Sequence, residues 1–128
     1  MTTISVILVT GGSHGVGLAS VELLHTNGSH LCSLPDLPSY RRGHSQTGVT
    51  LCGGFYSPDT TSCHTLSSTG SWELSHNLAQ GRADHSAWAS PQGIMLIGGY
   101  YRRPLETTEI LLKSGDTKPG FSLNYRTA

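Results

Sequence analysis

"VILVTGGSHGVGLASVELL", residues 6–24, decides how the chain is read. A run of apolar residues, Val6 to Val9, leads into four glycines within seven positions: Gly11, Gly12, Gly15 and Gly17. The stretch that follows reads either as an apolar helix or as a strand. As a helix, its N-terminal N–H groups and dipole would suit a phosphate cradled by the glycines. As a strand, it would need the same glycines only to end one strand and turn the chain into the next.

Internal repetition favours the strand. An apolar run closing on a double glycine occurs three times, as "VILVTGG" ending at Gly12, "VTLCGG" at Gly54 and "IMLIGG" at Gly99, at intervals of 42 and 45 residues. The segments that follow, "SVELLHTNG", "TSCHTLSSTG" and "TTEILLKSG", are β-branched and close on a turn glycine. Next come "SHLCSLPDLPSYRRGHS" and "SWELSHNLAQGRADHS", which align Leu37 with Leu78, Arg41 with Arg82 and His44 with His85. Each unit is therefore expected to hold a strand ending in Gly-Gly, a variable loop, a second strand, a turn and a third strand. An Arg-x-x-His-Ser segment then opens a fourth strand that leads into the next Gly-Gly. Four short antiparallel strands per period of a little over 40 residues is the grammar of a propeller blade.

Bulk properties agree. Lys plus Arg total 8 and Asp plus Glu total 8, so no net charge points to nucleic acid or to an anionic membrane. Charged residues make up only 12% of a chain rich in Ser, Thr and Gly, which suits strands and turns better than surface helices. No apolar run approaches the roughly 18–20 residues of a spanning helix, and "ISVILV" follows no positive charge, so neither a membrane span nor a cleavable leader is expected. The compartment stays open.

On Gly11-Gly12, Gly53-Gly54 and Gly98-Gly99, on the lead-in "LPSYRRGHS" with Arg41, His44, Arg82 and His85, and on Trp72 in an outer strand, the chain resembles the kelch-repeat family of β-propellers. The resemblance covers essentially the whole chain. It departs from the family in lacking the aromatic before the turn. The outer-strand aromatic is replaced by His30 or Leu31 in the first unit and is expected at Phe121 in the last. The resemblance implies an all-β single domain, a partial propeller of about three four-stranded blades at roughly 1–40, 41–81 and 82–128, the first lacking its opening strand. It implies a non-catalytic protein-interaction scaffold without a cofactor. Strands preceding the double glycines should be covered on both faces, which accounts for the unbroken Ile7-Leu8-Val9 and Ile94-Met95-Leu96-Ile97.

The competing reading is a fragment of an NAD(P)-binding oxidoreductase, because T-G-x-x-x-G-x-G over residues 10–17 also resembles the opening of a short-chain dehydrogenase. That resemblance requires Tyr-x-x-x-Lys downstream, yet none of Tyr40, Tyr56, Tyr100, Tyr101 and Tyr125 has lysine four positions on. No acidic residue ends a second strand about 20 residues after the glycines, where a ribose anchor is needed. The repeat reading predicts about eleven strands and no helix over 18–26.

Site residues follow from the repeat. Loops vary on repeat scaffolds and carry their binding surfaces. The loops after the second and third double glycines combine aromatics, a turn proline and basic residues, so Tyr56, Tyr101, Arg102 and Arg103 are the expected partner-binding residues, for a protein partner offering carboxylates. His44 and His85, with Arg41 and Arg82, are expected to satisfy buried carbonyls; the seven histidines share no metal spacing. Cys52 and Cys63 flank one hairpin loop and are either a disulfide or two buried thiols. Complete propellers close about 4–8 blades into a ring. Three blades would leave two faces open, so association with further blades or with itself is expected.

Overall fold

The computed structural model describes residues 6–12, 18–54 and 61–123. Among these lie eleven strands and no helix. The first sheet holds β1 (Val6–Thr10), β2 (Val21–His25) and β3 (His30–Leu34). The second holds β4 (Ser45–Thr47), β5 (Thr50–Cys52), β6 (Ser62–Leu66) and β7 (Trp72–Asn77). The third holds β8 (Ser86–Ser90), β9 (Gly93–Ile97), β10 (Thr108–Leu112) and β11 (Thr117–Pro119). In each, strands adjacent in sequence are adjacent in space and antiparallel. The stretch after the first glycines is thus a strand, paired from Val6↔His25 through Thr10↔Val21. The helix that a dinucleotide loop requires at that place is not formed.

The three sheets share one register. Thr10 pairs with Val21, Cys52 with Cys63 and Ile97 with Thr108, and in each case the next residue is the first glycine of a pair. That glycine then donates its N–H to a residue nine positions on: Gly11 to Ser20 at 2.9 Å, Gly53 to Ser62 at 3.2 Å, Gly98 to Thr107 at 3.1 Å. The lead-ins match as well. Leu37 donates to Ala19, Leu78 to Thr61 and Leu123 to Glu106, so one backbone bond ties the end of each meander to the residues just ahead of its penultimate strand.

The core lies between sheets. Val21, Leu37 and Leu51, with Leu8 and Trp72 against them, join the first sheet to the second. Cys52, Cys63, Leu78, Leu96 and Leu111, with Ala87 and Ile94, join the second to the third. Leu51 and Leu96, each two residues before a double glycine, are wholly buried, whereas Val9 in the same place is 42% exposed. β1 is therefore covered on one face only. Leu8 faces the second sheet, while Ile7 and Val9 face solvent, against the expectation that every such strand is covered on both faces. A second expectation also fails. β11 ends at Pro119, so Phe121 lies beyond the outer strand and is 55% exposed; register places Thr117 where the second sheet has Trp72.

Cys52 and Cys63 are direct cross-strand partners and are joined by a disulfide, leaving Cys32 as the free cysteine. Alkylating the unfolded, unreduced chain should label one thiol, and three after reduction; three before reduction would contradict the bond.

Candidate functional site

Two arginines make the joints between sheets. Arg41 is fully buried. Its Nη1 donates to the carbonyls of Gly53 (3.1 Å) and Ser62 (2.8 Å), and its Nη2 to Ser62 Oγ (2.6 Å) and His64 Nδ1 (2.9 Å). Arg82 repeats the pattern one sheet on. Its Nη1 donates to the carbonyls of Gly98 and Thr107, both at 2.8 Å, and its Nη2 to Thr107 Oγ1 at 2.8 Å. A forked, permanently charged donor suits this place, because carbonyls at a strand end present lone pairs that no ladder partner reaches.

The main chain of each arginine works in the opposite direction. The carbonyl of Arg41 accepts the Gly12 N–H at 2.7 Å, and that of Arg82 accepts the Gly54 N–H at 2.8 Å. Each arginine thus holds its own sheet with the side chain and the preceding sheet with the backbone. The approach is close enough to demand glycine. A Cβ on Gly11, at φ +60°, would lie 2.7 Å from the Arg41 carbonyl oxygen and 2.9 Å from His44 Cε1. Gly53, at φ +69°, is confined in the same way by Arg82 and His85. The histidines complete the joint: His44 Nε2 meets Thr10 Oγ1 at 3.0 Å, and His85 Nε2 meets Ser45 Oγ at 2.7 Å.

The third sheet adds an ion pair. Glu109 Oε1 lies 3.8 Å from Arg82 Nη2, and both side chains are almost completely buried. Glu109 also accepts the backbone N–H of Ala79 at 2.6 Å, so it ties the connecting loop to the joint. His64 holds the equivalent position in the second sheet and Glu22 in the first, eleven residues after Gly53 and Gly11 respectively. Burial pulls the Arg82 guanidinium below its ordinary value and Glu109 pulls it back; it stays charged at neutral pH.

Burial, then the charge of Arg82 and of His44, lowers the His85 pKa to about 4. Burial and Arg41 lower His44 too, with hydrogen bonding to Thr10 acting against them. Between pH 6.5 and about 4 the unfolded chain therefore binds a proton at His85 that the folded chain does not. Stability should be flat above that window and fall by about 3 kcal/mol as pH drops through it. Urea midpoints measured across this range test the slope, which should shrink in His85→Gln; a midpoint independent of pH would refute it.

The loop after Gly99 is a built turn. The Tyr101 N–H bonds the Arg103 carbonyl at 3.0 Å, the Leu105 N–H bonds the Gly99 carbonyl at 2.8 Å, and Tyr100 bridges to Pro104. Arg102, at φ 64°, lays its guanidinium 5.4 Å from the centre of the Tyr101 ring. Tyr101, Arg102 and Arg103 are all exposed. Tyr56 lies outside the described residues, so the structure brings together only the third-loop members of the expected partner surface.

Sequence reasoning missed Ser62, Thr107 and Glu109. A signal was present: Ser20, Ser62 and Thr107 each stand nine residues after the first glycine of a pair. Among the described residues, no three His, Cys, Asp or Glu side chains converge on a common point that could hold a metal. No protein-family model matches the chain, and no curated protein matches it.

Proposed function

We propose that the chain is a kelch-type propeller segment that acts as a non-catalytic protein-interaction scaffold, with its variable loops as the binding surface. Three sheets in one register, joined by the same arginine and double-glycine contacts, support the repeat reading. The observation that carries the binding reading is the loop after Gly99. It displays one tyrosine and two arginines on a turn held by its own backbone hydrogen bonds, so little ordering cost remains to be met on association. Tyr and Arg combine broad contact area with directional donors, and two exposed guanidinium groups suit paired carboxylates.

An array of peptides rich in Asp and Glu is the appropriate probe. Binding is expected, and Tyr101→Ala/Arg102→Ala/Arg103→Ala should weaken it at least tenfold, about 1.4 kcal/mol, while the thermal midpoint stays unchanged. Equal affinity in the triple variant would reject this surface.

A further inference from the structure

The joint between the second and third sheets repeats the one before it except at one position. Val21, Leu37 and Leu51 pack together at the first joint, and Trp72 lies against them. Their counterparts at the second joint, Cys63, Leu78 and Leu96, cluster in the same way. Trp72 pairs across its ladder with Leu66, and the counterpart pair in the third sheet is Thr117 with Leu111. A hydroxyl and a methyl group thus stand where the first joint has an indole.

Beside that threonine the second joint holds a cavity of about 300 Å³. Glu109, Thr117 and Pro119 line it from the third sheet, and Ala79, Gln80 and Arg82 from the segment that connects the sheets. Glu109 pairs with Pro119 and Leu111 with Thr117, so these residues share the face turned toward the second sheet. The volume stands at the lower end of ligand pockets, roughly 300–1,000 Å³, and leaves room for a bicyclic ring.

Trp72 also shows what such a ring needs at this place. Its Nε1 donates to the carbonyl of Pro35, in the connector before the second sheet, at 3.0 Å. At the second joint the connector offers Gln80. Its Nε2 donates to the Gly81 carbonyl at 3.0 Å, and its Oε1 makes no hydrogen bond among the described residues. Gln80 and Thr107 line this cavity and also a smaller one, of about 60 Å³, that Arg103 and Glu106 share in lining. The larger cavity therefore adjoins the loop after Gly99. With Glu109 paired to Arg82, the remaining charged side chains of the two rims are Lys118 and Arg103 against Glu106, a net positive charge.

We infer that this cavity receives a tryptophan side chain of the protein partner, carried on the acidic segment that the loop after Gly99 engages. The indole fills the place left at Thr117, its N–H meets Gln80 Oε1, and carboxylates beside it in the segment meet Arg103. The identity of the partner rests on the scaffold reading, whereas the ring rests on the cavity alone.

Peptides that carry a pair of glutamates and one tryptophan at several spacings, each with an alanine-for-tryptophan control, are titrated against the full chain. At one spacing the tryptophan should strengthen binding about tenfold or more, the lower end of what burial of a large apolar side chain yields. Thr117→Trp fills the cavity from within. Its thermal midpoint should equal or exceed that of the unchanged chain, and the tryptophan peptide should then bind no better than its control. N-acetyltryptophanamide reads the cavity without the acidic segment, and should shift the amide resonances of Gln80 and Thr107 in the unchanged chain but not in Thr117→Trp. Acidic peptides that do not bind, beside an N-acetyltryptophanamide response lost in Thr117→Trp, would reject the loop surface and support the cavity. A tryptophan advantage that is absent, or that persists in Thr117→Trp, would overturn the inference and leave the loop surface standing. A lowered midpoint in Thr117→Trp would overturn it too, because the ring would not fit. So would self-association that Thr117→Trp abolishes, since the occupant would then be a second copy, whose Trp88 is exposed.

Discussion

Arg82→Met is expected to lower the stability of the chain by about 3–5 kcal/mol, the usual consequence of removing one partner from a buried charge pair. Methionine retains much of the volume but none of the donors. The carbonyls of Gly98 and Thr107 lose a guanidinium partner, and Glu109 is left as a buried carboxylate without the cation it is paired with. Against a total of about 5–15 kcal/mol for an ordinary domain, that loss is large. Glu109→Gln in the same chain should restore part of it, because the amide is neutral and its oxygen still accepts from Ala79. Urea unfolding of the single and double variants gives the cycle. A single variant within about 1 kcal/mol of the parent would mean that the joint contributes little, in contrast to the usual cost of a broken buried pair.

Gly53→Ala should be nearly as damaging, and its comparison with Gly48→Ala isolates the reason. Both glycines have left-handed backbone, at φ +69° and +60°. At Gly48 an added Cβ meets nothing within 4 Å, so the expected loss is the conformational term alone, about 1–2 kcal/mol. At Gly53 the same atom runs into the Arg82 carbonyl oxygen and comes within 2.9 Å of His85 Cε1. The second and third sheets must then part, and the loss should exceed that of Gly48→Ala by roughly 2 kcal/mol or more. Equal losses at the two positions would show that the sheets do not approach as closely as the joint requires.

The strand assignments and the joints differ in how far sequence discloses them. A double glycine after an apolar run recurs because backbone geometry at a crowded strand end excludes other residues, and Arg41 and Arg82 align because a single guanidinium must reach the same carbonyls twice. These are local rules, visible in one chain. Glu109 is not visible in this way. Its role depends on Ala79, thirty residues earlier, and neither neighbour in sequence announces it. Ser20, Ser62 and Thr107 do recur at a fixed offset, but in a chain so rich in Ser and Thr the offset stands out only once the arginines are seen to point there. The exposure of Val9 follows from which sheets are neighbours, a property of the assembly that β1 alone does not encode. Thr117 replaces the expected aromatic because the outer strand of the third sheet is only three residues long and ends before Phe121.

The central claim is that the chain builds repeated antiparallel sheets stitched by the backbone of one arginine to the double glycine of the sheet before. Scalar couplings across hydrogen bonds, measured by NMR on the isotope-labelled chain, test it most directly. Couplings are predicted from the Gly12 amide nitrogen to the Arg41 carbonyl carbon and from the Gly54 amide nitrogen to the Arg82 carbonyl carbon, with strand-type carbon shifts over Val21–His25. Helical shifts across residues 18–26, with neither coupling present, would contradict it.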